Sequence, residues 1–248
     1  MKNYAMAVQY DGTRYNGWQR QGNTPNTIQG KLEDILGKLC GHRVEIHGSG
    51  RTDKGAHALG QTASFRLETD LEDAELAHYM NNYLPEDIAV VALAEADERF
   101  HSRLCARSKT YIYRIWNSSV PNVFERKYMY TVPEKIDLDK MNTAAEFFSG
   151  THDFRAFSSV KGHKKSTVRT IYYIGAERLG NEIRITVKGN GFLYNMVRII
   201  SGTLLEVGLG MRTPESVADV FACAERSAAG ATLPARGLTL LKVDYDEG

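Results

Sequence analysis

A chain of 248 residues with 42% hydrophobic residues is long enough to bury a substantial core, as one large domain or as two halves. Its apolar runs fall short of a membrane-spanning length, and the opening Met1-Lys2-Asn3-Tyr4 lacks the hydrophobic stretch of a secretion leader, so the expected compartment is the cytoplasm with no membrane partner. The 31 basic and 30 acidic side chains leave a formal net charge of +1, which by itself advertises no polyanionic partner, and three separated cysteines suggest neither a disulfide framework nor a zinc knuckle.

In chain order, alternation marks a strand over residues 4–10. A helix follows with Ile28, Leu32, Ile35, Leu36 and Leu39 on one face, its start signalled by Thr24-Pro25 or by Thr27. Val44 and Ile46 suggest a second strand, and Ala63, Phe65 and Leu67 alternate in a third. A helix over about 71–84 and a strand over 88–94 complete a βαββαβ order. The pattern then repeats: a strand over 109–116, a helix over 138–148 closed by Gly150, strands over 169–178 and 182–188, a helix over 193–207, an extra helix near 214–226 and a last strand over 238–245. The expected fold is therefore α+β, with two ferredoxin-like halves, residues 1–105 and 106–248. Their antiparallel sheets are expected side by side, with helices on one face and a cleft for a ligand on the other.

Cations cluster locally. Arg99, Arg103, Arg107, Lys109 and Arg114 occur with no acid among them, and Lys161, Lys164 and Lys165 are followed by Arg169, while Glu68, Asp70, Glu72, Asp73 and Glu75 gather elsewhere. Each cluster reads either as a solvated face or, together, as one side of a dipolar surface that grips phosphates.

The segment Gly48-Ser49-Gly50-Arg51-Thr52-Asp53-Lys54-Gly55-Ala56-His57 sets one carboxylate among two cations, an imidazole and three glycines, between two strands. Glycines permit close approach, so the pattern suggests a carboxylate held where a bulky ligand must come near; ordinary turn chemistry uses the same residue types. The loop lacks the Gly-Lys-Ser or Gly-Lys-Thr ending of a phosphate loop. His42 and His47 have no cysteine or second close acid to complete a metal set, and His152-Asp153 reads as part of the turn after Gly150 rather than a metal centre.

Tyr10-Asp11-Gly12-Thr13 with Gly17-Trp18-Gln19-Arg20, then Gly50-Arg51-Thr52-Asp53-Lys54-Gly55-Ala56-His57, resembles the tRNA pseudouridine synthase A family. Phe100-His101-Ser102-Arg103, Lys109-Thr110-Tyr111, His152-Asp153-Phe154, Gly191-Phe192-Leu193, Met196-Val197-Arg198 and Gly237-Leu238-Thr239 follow in family order. The resemblance implies isomerisation of uridine to pseudouridine within tRNA, at positions 38, 39 and 40 of the anticodon stem-loop, by a cytoplasmic homodimer that needs neither cofactor nor metal. It makes Asp53 the nucleophile, attacking either C1' of the ribose or C6 of the base.

An aspartate removed from water needs a neighbouring cation to stay ionised, and the resemblance supplies Arg198, whose planar fork suits a carboxylate; without it, Arg198 reads as a solvent-facing helix residue. Tyr111 corresponds to a tyrosine that stacks on the target base, the alternative being strand packing, since Tyr111 and Tyr113 share a face. Arg51 and His57 are the expected contacts to the flipped nucleotide, and Arg20, Arg103 and Lys109 the expected phosphate ligands. The rival reading is a noncatalytic RNA-binding protein in which Asp53 only shapes a turn.

Overall fold

The computed structural model describes residues 1–159 and 166–245. Among these the order is β1 (Lys2–Tyr10), α1 (Ile28–Cys40), β2 (Ile46–Gly48), β3 (His57–Leu67), α2 (Asp73–Tyr83), β4 (Ile88–Glu95), β5 (Ser108–Trp116), β6 (Tyr130–Thr131), α3 (Leu138–Glu146), β7 (Gly150–Asp153), β8 (Val168–Leu179), β9 (Glu182–Gly189), α4 (Met196–Gly208), α5 (Ser216–Cys223) and β10 (Leu238–Asp244). The class is α+β, and both runs follow the βαββαβ order, the second with β6, β7 and α5 inserted. Among the described residues two compact units result, one holding residues 1–107 and 239–245, the other residues 108–159 and 166–238.

In the first unit, Tyr4, Met6, Val8 and Tyr10 of β1 are buried at every second position, as a strand facing a core requires. Antiparallel pairing sets Tyr4 opposite Phe65 and Met6 opposite Ala63, so these side chains share that face, and the rings of Tyr4 and Phe65 stack at 5.4 Å. The strand order β4-β1-β3-β2 is that of a split βαβ unit. β10 adds to β3 in parallel, with Thr239 beside His57 and Leu240 beside Ala58, on the part of β3 that precedes its pairing with β2.

The helix α1 begins where the Thr27 hydroxyl accepts from the Gly30 amide at 3.2 Å and ends at Gly41, whose φ of 75° favours glycine. Its buried stripe is Ile28, Leu32, Ile35 and Leu36, each contributing on the order of 1.5–3 kcal/mol by leaving water, more than the ~1 kcal/mol of a cap. α2 starts with a capping box between Glu72 and Glu75 and packs on β4.

In the second unit the order is β5-β9-β8-β7, all antiparallel, and β6 runs parallel beside β5. α3 packs on α4 and β8, and α4 lies against β5. Met196, Val197, Ile199, Ile200, Leu204, Leu205 and Val207 are all buried, so α4 is apolar nearly all round, as a central helix must be.

Three local expectations are corrected. His152 and Asp153 do not sit in a turn: they form β7, opposite Arg169 and Val168. The helix expected from residue 193 begins at Met196, because Asn195 has a φ of 62°, outside helical geometry. His57 does not lie on the glycine loop but opens β3.

Candidate active site

The residues between β2 and β3 form a loop held by a second segment, residues 10–18. The Trp18 amide donates to the Thr52 carbonyl at 3.1 Å and the Gly55 amide to the Tyr15 carbonyl at 3.3 Å. The Tyr10 and Thr52 hydroxyls are bonded at 2.8 Å, and the Gly12 amide donates to His57 Nδ1 at 3.1 Å. Inside the loop, the Ala56 amide donates to the Asp53 carbonyl at 3.1 Å. A Cβ on Gly12 would lie 1.8 Å from the Ala56 carbonyl oxygen and one on Gly48 2.5 Å from the Trp18 ring, so both glycines are required by close approach. The two motifs, separate in sequence, are thus one object: the first clamps the second.

The clamp leaves Asp53 half-buried between buried Thr52 and exposed Lys54, with Arg51 exposed two residues earlier. His57 is 4% exposed, and its Nδ1, which accepts from the Gly12 amide, lies 3.2 Å from the Asp11 carboxylate; that carboxylate accepts from the Thr13 amide at 2.9 Å. The imidazole is therefore buried against the 10–18 segment. Arg20 meets the buried carboxylate of Glu33 at 3.0 Å and Asp34 at 3.2 Å. Glu33 also accepts from Gln29 at 2.8 Å and from the Ile46 amide at 3.3 Å, so Arg20 ties the clamp to α1 and β2. Arg103 is exposed, and its amide donates to His101 Nδ1 at 3.1 Å.

The second unit carries the remaining candidates. Tyr111 of β5 is 7% exposed and meets Phe192 edge-to-face at 5.1 Å, while Lys109, two residues earlier on the same strand, is half-buried. Tyr113, on the same face of β5, is fully buried, donates to the Pro234 carbonyl at 2.8 Å, and has its pKa pushed up by burial. Arg198, in the first turn of α4, is braced by the Leu233 carbonyl at 2.7 Å and by Asn195 Oδ1 at 2.7 Å. Asn195 in turn donates to Ser159 at 3.0 Å.

His152 and Asp153 are occupied locally: His152 Nε2 bonds the Ser149 carbonyl at 2.8 Å, and Asp153 takes Arg155 at 2.8 Å and the Thr167 hydroxyl. Burial works to raise the Asp153 pKa, but the bonds from Thr167 and Arg155 outweigh it and hold the carboxyl below its usual range. The basic run Lys161, His163, Lys164 and Lys165 lies outside the described residues; Arg169 beyond it donates to the Ser166 carbonyl at 3.0 Å and the Val168 carbonyl at 2.6 Å.

Sequence reasoning passed over Asp87 and Asn195. Asp87 takes the Tyr15 hydroxyl at 2.6 Å and Arg14 at 2.7 Å, bracing the clamp from the start of β4. Its one sequence signal was an acid directly before an apolar strand, which many turns share.

Among the described residues no helix is long and apolar enough to cross a membrane. A family model described as tRNA pseudouridine synthase matches residues 6–103 and 144–246. The chain is 49% identical over 230 residues to tRNA pseudouridine synthase A of Bacillus sp. (strain KSM-64), covering 93% of this chain and 94% of that protein. It is 43% identical over 245 residues to tRNA pseudouridine synthase A 2 of Bacillus cereus (strain ZK / E33L), covering 99% and 100%. It is 42% identical over 246 residues to tRNA pseudouridine synthase A 2 of Clostridium tetani (strain Massachusetts / E88), covering 99% of each. Clamped glycine loop, motif order and full-length likeness converge: the chain belongs to the tRNA pseudouridine synthase family, isomerases that convert uridine to pseudouridine in tRNA.

Proposed function

We propose that the protein isomerises uridine in the anticodon stem-loop of tRNA, at positions 38, 39 and 40, with Asp53 as nucleophile, and that it acts as a cytoplasmic homodimer. The observation that carries the reading is the clamp: four hydrogen bonds and two sterically required glycines hold a partly exposed carboxylate on a short loop. Ordinary turn chemistry needs no such bracing.

The reaction is balanced within the substrate. The C1'–N1 bond breaks, the uracil turns, C1' bonds to C5, the hydrogen on C5 leaves as a proton and N1 ends carrying one. An ionised Asp53 serves as the covalent partner of the detached fragment, which splits one difficult step into two easier ones. Tyr111 is assigned the stacking role against the target base, worth on the order of 1–3 kcal/mol, and Arg198 the pairing that keeps the carboxylate ionised; both assignments rest on the motif match. Arg51, Arg103 and Lys109 are the proposed phosphate and nucleotide contacts, and Arg20 and His57 serve that surface by holding the loop in place.

The deciding experiment supplies tRNA tritiated at uridine C5 to the wild type and to Asp53→Asn. Release by the wild type alone, with tRNA binding kept by the variant, supports nucleophilic catalysis. Equal release by both removes Asp53 from the mechanism, and release by neither returns the chain to a noncatalytic RNA-binding role.

A further inference from the structure

Gln61 stands where strand alternation calls for an apolar side chain. It lies opposite Val8 on the face of β3 that carries Ala63, Phe65 and Leu67, and it is 0% exposed. A buried amide is costly unless its donors and acceptor are satisfied. Here the bonds lead to the catalytic loop. Oε1 accepts from the Ser49 hydroxyl at 2.6 Å, and Nε2 donates to the Gly50 carbonyl at 3.1 Å. The adjoining Thr52 hydroxyl is bonded to Tyr10 at 2.8 Å.

We propose that Gln61 is a positioning residue for the Asp53 carboxylate: one planar amide fixes Ser49 and Gly50, where the loop leaves β2, and so sets the path along which Asp53 presents its oxygens. The inference rests on Asp53 being the nucleophile. An amide is the group that fits, because the site needs an acceptor toward Ser49 and a donor toward Gly50 in one rigid plane. Gln61→Glu keeps that shape but sets an oxygen against the Gly50 carbonyl oxygen. Gln61→Met keeps the volume and satisfies neither partner.

The full chain carrying Gln61→Glu, Gln61→Met or Ser49→Ala is assayed for single-turnover tritium release from C5-labelled tRNA and for tRNA affinity by filter binding, with melting curves to confirm folding. Turnover is expected to fall on the order of 10²-fold in the Gln61 variants and about tenfold in Ser49→Ala, with tRNA affinity kept within about twofold, because a displacement of about 1 Å at a reacting group slows chemistry without weakening remote contacts. Turnover within about threefold of wild type in a folded Gln61 variant overturns the proposal, as does affinity falling by the same factor as turnover, which marks a merely structural role. Should neither Gln61 variant fold, the same two criteria are applied to Ser49→Ala. Asp53→Asn in the same assay separates the two readings. An active Asp53→Asn sinks the nucleophile whatever Gln61 does, and an inactive one beside a normal Gln61→Met sinks the positioning role alone.

Discussion

The Gly12 amide donates to His57 Nδ1 at 3.1 Å, and this bond joins the Tyr10-Asp11-Gly12-Thr13 motif to the end of the Gly-Arg-Thr-Asp loop. Gly12 cannot carry a side chain there, since a Cβ would sit 1.8 Å from the Ala56 carbonyl oxygen. Gly12→Ala must therefore push the loop away from its clamp. Overpacking of this kind costs about 1–3 kcal/mol of stability, and the displaced carboxylate should slow turnover by on the order of 10²-fold. Urea denaturation and tritium release measure the two effects; a stable variant with wild-type turnover would show that the clamp does not position Asp53.

Arg20 and Arg51 both belong to the motif segments and both are exposed, but Arg20 is paired with carboxylates. Arg20 is 43% exposed and meets a Glu33 carboxylate that is fully buried, so Arg20→Ala weakens the compensation of a buried charge. Because Arg20 is partly solvated and Arg43 also approaches Glu33 at 3.8 Å, the expected loss is about 1–2 kcal/mol of stability, with tRNA affinity within about twofold of wild type. Arg51→Ala should do the reverse: unchanged melting, weaker tRNA binding, and a salt dependence shallower by about 0.7–0.9 for one lost phosphate contact. Binding isotherms over a salt series distinguish them, and identical behaviour of the two variants would contradict this division of labour.

Arg198 tests the value of a planar fork. Its Nε and one terminal nitrogen are held by Leu233 and Asn195, an arrangement that aims the guanidinium and that lysine cannot reproduce. Arg198→Lys keeps the charge and should still lose about 10²-fold in turnover with tRNA affinity retained. Rapid-quench kinetics with saturating tRNA provides the check, and turnover close to wild type would show that charge alone suffices.

The elements were legible because their periods are simple. Buried positions at every second residue of β1 and the Ile28, Leu32, Ile35 and Leu36 stripe of α1 follow directly from strand and helix geometry. β6 and β7, of 2 and 4 residues, are too short to show a period. The partner of β10 was hidden for another reason: parallel pairing of Thr239 with His57 joins residues far apart in sequence, and no local pattern encodes it. At the site, the loop motif pointed to Asp53, but the partners of charged residues were not legible. For Arg20, nothing in the sequence marks Glu33, set among the apolar residues of α1, as a buried partner. His57 likewise reads as a loop imidazole until β3 is seen to begin there. Gln61 carried a signal in plain view, a polar residue in register with Ala63, Phe65 and Leu67.

The pH dependence of stability has a named contributor away from the loop. Glu182 of β9 is 8% exposed, and Arg114 holds it at 2.8 Å with Arg184 at 3.2 Å. The Arg114 hydrogen bond, against the opposing effect of burial, brings the Glu182 pKa below its ordinary value. A carboxylate whose pKa is lower in the folded state stabilises that state above the unfolded value of about 4.3, and the contribution is lost as pH falls through the folded value. Glu182→Gln should therefore melt below wild type at pH 7, and the gap should narrow as pH falls below about 4.3, where the unfolded chain's carboxyl begins to take up a proton that the folded one still resists. Melting curves from pH 7 to pH 3 measure it. A gap that stays constant across that range would mean the Arg114–Glu182 pair contributes through packing rather than through ionisation.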